Sequence, residues 1–134
     1  MAFDFCNEAN ETFRISGGNW AVYLLLAEAF GYKLPGTLSP HDYPTSQHWH
    51  GRYDSSDGQR IPEQDALSLA GVLNSIFHHP MRDVAIGDTI TSIEREIMSS
   101  GTPIADGMRI EADSILEGFP HLMNFLCRGG FRIN

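Results

Sequence analysis

The sequence predicts an α+β fold that is mostly helical, with about four helices and a small sheet pairing strands near the N- and C-termini. Three observations carry that expectation. Apolar residues recur at three- and four-residue spacing in four separate stretches, the mark of helices with one buried face. The triplets Phe13-Arg14-Ile15 and Phe131-Arg132-Ile133 alternate apolar and polar side chains, as half-buried strands do. The chain of 134 residues, 42% hydrophobic and 10% aromatic, supplies one core and leaves no room for two domains.

The first strand, Phe13-Arg14-Ile15, is bounded by Ser16-Gly17-Gly18, a turn sequence. A helix is then expected from about Asn19, a favoured N-cap residue. Trp20, Tyr23, Leu24, Leu26, Ala27 and Phe30 make it apolar nearly all round, so it should be the central buried helix. Gly31 stands where a C-terminal cap belongs, and Pro35-Gly36 closes the exit. Residues 33–59 are rich in Pro, Gly, Ser, His and Asp and read as one long irregular connection. In a compact domain such a segment is functional, or is ordered by its own aromatic side chains.

Ala66, Leu69, Ala70, Leu73, Ile76 and Phe77 form the clearest stripe and predict a helix over residues 62–77. Glu63 and Asp65 in its first turn complement the positive end of the helix dipole. Ile86, Ile90, Ile93 and Ile97 predict a third helix ending before Ser99-Ser100-Gly101. The last helix should begin between Glu111 and Ser114 and turn Ile115, Leu116, Phe119, Leu122 and Leu126 inward. Pro120 interrupts it, and an interior proline removes a hydrogen bond and kinks or splits a helix. After Gly129-Gly130 the strand Phe131-Arg132-Ile133 is expected to lie beside Phe13-Arg14-Ile15.

Seventeen acidic residues against nine basic ones give a formal charge of −8, and the basic residues are dispersed eight arginines and Lys33. Binding a nucleic-acid backbone needs a concentrated basic face, so no nucleic-acid partner is expected. An acidic surface steers a protein toward basic partners instead. The first eight residues lack the positive start and apolar stretch of a secretory signal. The longest apolar run, residues 20–27, falls far short of the roughly 20 residues that cross a bilayer. A cytoplasmic protein with no membrane contact is therefore expected. Cys6 and Cys127 should be reduced thiols, with Cys127 packed among apolar helix positions.

Several segments share a further pattern. Trp20, Leu24 to Ala27, Gly31-Tyr32 and Pro35-Gly36-Thr37 are followed by Gly51-Arg52-Tyr53-Asp54-Ser55-Ser56-Asp57-Gly58-Gln59, then Asp65-Ala66-Leu67-Ser68-Leu69-Ala70 and finally Phe125-Leu126-Cys127-Arg128-Gly129-Gly130-Phe131. The set resembles a group of small, uncharacterised bacterial proteins. That group carries a Gly-x-Tyr-x-Ser-Asn-Asp-Gly-Gln element and a Phe-Cys-Arg-x-Gly-Gly-Phe C-terminus. The resemblance leaves out residues 77–113. It departs at Ser56, where Asn is usual, and at Pro62, where Ser or Thr would cap the helix, a loss of about 1 kcal/mol. It implies a layout and no activity.

His48-Trp49-His50, with His41, Asp42, Asp54 and Asp57 nearby, contains the parts of a divalent metal site. A lone His-x-His is weak support, and a solvent-facing pair flanking a buried Trp49 is the simpler reading. No metal or other cofactor is expected. An EF-hand frame does not fit from Asp54. The nucleophile elbow, the phosphate loop and the dinucleotide fingerprint are all missing from the sequence, so no residue is assigned a catalytic role.

Tyr43, Trp49, His50 and Tyr53, with Asp54 and Asp57, concentrate aromatic and acidic groups in one connection, the composition of a binding surface or of a lid over the core. The function these features favour is an acidic protein-binding module. It would be an inhibitor or immunity-type protein, or a phage-encoded blocker of a host factor. The alternative is a metal-dependent hydrolase or small-molecule-binding protein using His48, His50, Asp54 and Asp57.

Overall fold

A computed structural model describes residues 2–44, 49, 51–99 and 110–134, with only the backbone of residues 98 and 99. Among them the elements follow as β1 (Ala2–Asn7), β2 (Thr12–Ser16), α1 (Gly17–Ala29), β3 (Gln59–Ile61), α2 (Glu63–Phe77), α3 (Arg82–Ser99), α4 (Ala112–Leu126) and β4 (Phe131–Ile133). The fold is α+β, mostly helical, with an antiparallel sheet in the order β2-β1-β4-β3.

The ends of the chain do meet in the sheet, but not through the strands expected to pair. β4 lies against β1, with Phe5 opposite Ile133, and β1 separates it from β2. The alternation Phe3-Asp4-Phe5-Cys6-Asn7 that makes β1 a strand sits at the very start of the sequence, where it was not read as one. Phe3, Phe5 and Asn7 face inward and are buried. The β1–β2 hairpin is closed by a tight turn and a left-handed residue: Asn10 N–H donates to the Asn7 carbonyl at 3.0 Å, and Asn10 has φ 61. Asn7 is a buried polar residue because its side-chain oxygen accepts from Ala9 N–H at 3.0 Å and Glu11 N–H at 2.9 Å.

α1 begins at Gly17, ahead of the expected Asn19. Ser16 takes the cap position and its Oγ accepts from Asn19 N–H at 3.1 Å. The Asn19 side chain is thereby freed to donate to Ser114 Oγ at 3.0 Å, joining the starts of α1 and α4. The other end closes as foreseen at Gly31. With φ 91, Gly31 donates to the Glu28 carbonyl while Tyr32 N–H reaches Ala27, the paired bonds of a Schellman motif. α2 starts without any side-chain cap at Pro62 and buries Ala66, Leu69, Ala70, Leu73 and Ile76.

α4 runs through Pro120 without being divided. Pro120 lies on the exposed side of the helix, where the carbonyl it leaves free can reach water. Cys127, expected to be packed, is exposed, because the buried face ends at Phe125 and Leu126 and Cys127 occupies the C-cap.

The core forms where α1 and α4 meet the inner face of the sheet. Phe5, fully buried, packs its ring against Trp20 of α1, Phe125 of α4, Phe131 of β4 and Phe13 of β2. α2 packs on α4, and α3 packs on α1. Among the described residues no helix is long and apolar enough to cross a membrane.

Candidate functional site

The long connection is organised from beneath by Gln59. Its side chain is fully buried: Nε2 donates to the carbonyls of Arg52 at 2.9 Å and Ser55 at 2.5 Å, and Oε1 accepts from Asp57 N–H at 2.9 Å. Gly58, with φ 75, completes the turn. Upstream, Leu38 bridges Arg60 through two backbone bonds of 2.8 Å and so covers the outer edge of β3. Gly51 lies so close to Thr37 that a Cβ there would come within 2.4 Å of the Thr37 nitrogen. Only glycine permits that approach.

This framework separates the residues expected to bind. Tyr43 and Trp49 stay together, their rings edge to face at 4.9 Å, both half-buried, with Trp49 Nε1 donating to the Thr37 carbonyl at 3.2 Å. Tyr53 belongs to the core instead. It is 6% exposed, its carbonyl accepts from Trp20 Nε1 at 2.7 Å, and burial pushes its phenol above the ordinary value. Asp54 is exposed and accepts two bonds from Arg52, at 2.9 and 3.0 Å, and this guanidinium holds its carboxyl below the usual carboxylate range. Asp57 is exposed on the turn. His48 and His50 lie outside the described residues. Among the described residues no three His, Cys, Asp or Glu side chains converge on a metal-sized site.

A different place gathers a strand edge, carboxylates and a cavity. Between β2 and α4 runs a groove of about 610 Å³ lined by Phe13, Arg14, Ile15 and Ser16 on one side and by Glu111, Ser114, Glu117 and His121 on the other. Its floor is Tyr23, whose hydroxyl donates to the Ile115 carbonyl at 2.6 Å. That phenol is buried and raised above its ordinary value by desolvation. Gly118 makes room for it: a Cβ at this position would lie 2.3 Å from the hydroxyl.

Among the described residues the outward backbone groups of β2, beside this groove, have no partner. Asn7 N–H donates to the Glu11 carbonyl at 3.0 Å, which marks Asn7–Glu11 as a hydrogen-bonded pair. In an antiparallel ladder such pairs recur at every second residue, so Phe5–Phe13 and Phe3–Ile15 are bonded as well. The N–H and C=O of Thr12 and Arg14 therefore point away from β1. Among the described residues β2 has no strand on that side. Glu111 and Glu117 are exposed on the opposite wall, while Arg14 is drawn outward to Asp4, 3.8 Å away. The sequence pattern does not reveal this site, because without β1 nothing marks β2 as an edge. No family model, curated protein or solved structure matches the chain.

Proposed function

We propose that this protein is an acidic protein-binding module of inhibitor or adaptor type, which accepts an extended basic segment of its partner as an added strand on β2. The observation that carries this reading is the edge of β2, open among the described residues, beside a groove whose far wall bears Glu111 and Glu117. Strand addition draws affinity from main-chain hydrogen bonds and specificity from alternate side chains entering the groove. A formal charge of −8 and the two carboxylates favour lysine or arginine at the groove-facing positions. The half-buried Tyr43–Trp49 pair is a second place for partner contact, on the connection ahead of β3. The metal-dependent alternative is disfavoured, since Asp54 already accepts two bonds from Arg52 and a cation would have to displace it.

Fluorescence anisotropy with extended peptides alternating lysine and valine tests the proposal. Such peptides should bind saturably, and their glutamate counterparts should not. Glu111→Gln with Glu117→Gln should weaken binding by at least about tenfold, a loss in the range of paired interfacial charges. Arg14→Pro removes an outward N–H without touching the ladder to β1, and it should abolish binding with the fold intact. Equal binding by the parent and both variants would refute the groove as the site.

A further inference from the structure

We propose that Arg60 and Arg132, on the outer face of the sheet, form a binding site for a phosphate-class dianion carried by a small molecule. Arg60 of β3 is directly opposite Arg132 of β4, and Arg132 is directly opposite Cys6 of β1, so the three make one row across the strands. Residues so paired have Cβ atoms about 4.5–5.5 Å apart, and like charges in that relation repel.

Among the described residues neither guanidinium forms an ion pair. The four ion pairs among the described residues engage Arg14, Arg52, Arg82 and Arg128, and neither Arg60 nor Arg132 has a carboxylate within ion-pairing distance. Arg60 is held in place by its Nε–H, which donates to the Ser39 carbonyl at 2.7 Å. That bond fixes the plane of the guanidinium and leaves its terminal nitrogens to point elsewhere. Both arginines line a groove of about 400 Å³ with His41 at its side. Glu8 and Glu63 also border it without pairing to either arginine.

Two like charges on adjacent positions of neighbouring strands disfavour the fold while the groove is empty. An oxyanion between them reverses the sign of that interaction, because guanidinium forks bind phosphate oxygens with paired, charge-assisted hydrogen bonds. A dianion matches the two charges, where a monoanion leaves one uncompensated. The site is independent of the protein-binding reading, since β3 and β2 are opposite edges of the sheet.

The test is a titration of the full chain with sodium phosphate, followed by amide and arginine Nε resonances at constant ionic strength, with acetate as the monoanion control. Phosphate should give saturable shifts at Cys6, Arg60 and Arg132 and should raise Tm, and acetate should do neither. Arg132→Gln should melt no lower than the parent in the absence of phosphate, because it relieves repulsion. It should also weaken phosphate binding at least tenfold. Arg60→Gln should weaken binding similarly. Shifts that fail to saturate and spread equally over Arg14, Arg52 and Arg82 would overturn the proposal, as would an unchanged phosphate response in both variants or an equal response to acetate.

Discussion

Gly118 and Tyr23 show how one missing carbon shapes both the core and the groove. Glycine inside a helix costs about 1 kcal/mol relative to alanine, so Gly118→Ala ought to stabilise α4 on propensity alone. The added Cβ would meet the hydroxyl of a rigid, buried ring at 2.3 Å, and the Tyr23–Ile115 hydrogen bond would have to give way. Overpacking of this kind costs about 1–3 kcal/mol and the lost bond about 1 more. The expected outcome is a net loss of about 2 kcal/mol in urea melts, whereas a stabilised variant would show that Tyr23 moves freely.

Asp54 offers a second test at the scale of a residue. Its folded pKa is lowered by Arg52, so the stability this contact contributes is present above the unfolded pKa and is lost as pH falls through the lowered folded value. Both side chains are exposed, so the visible effect is in the titration and not in the melting curve. NMR should find Asp54 titrating below an ordinary exposed aspartate, and Arg52→Gln should return it to the ordinary range.

Elements differ in how plainly their residues declare them. α2 was legible because its stripe repeats without interruption, and Leu69 and Leu73 are buried where the spacing puts them. Leu73→Ala should therefore cost about 2–5 kcal/mol in denaturant melts. A loss below about 1 kcal/mol would mean that the inward face has been misjudged. α1 was legible along its length but not at its first turn, because Ser16 and Asn19 are both good caps and only packing decides between them. Asn19 is taken by Ser114 of another helix, a contact that no local pattern contains. β1 was missed for a related reason. Its inward positions include Asn7, whose burial is tolerable only because the following turn satisfies its side chain. α4 survives Pro120 since periodicity says which face is wet, and a proline on the wet face does least harm.

For the molecule as a whole, the joining of the chain ends was readable and the strand order was not. Two Phe-Arg-Ile triplets announce strands, but which strands become neighbours depends on long-range pairing that a short pattern does not encode. The same gap hid the groove, because an edge can be recognised only after the order β2-β1-β4-β3 is known. Within the candidate surface, the Asp54–Gln59 turn rests on the buried Gln59 amide, whose inward position no spacing pattern encodes. The central claim, that β2 presents an open edge to an acidic groove, is tested most directly by residue-resolved amide hydrogen exchange along this strand in the free protein. The account predicts an alternation, with Phe13 and Ile15 slow because they donate to β1, and Thr12 and Arg14 fast because they face the groove. Slow exchange at Thr12 and Arg14 equal to that at their neighbours would mean that the edge is already paired, and would contradict it.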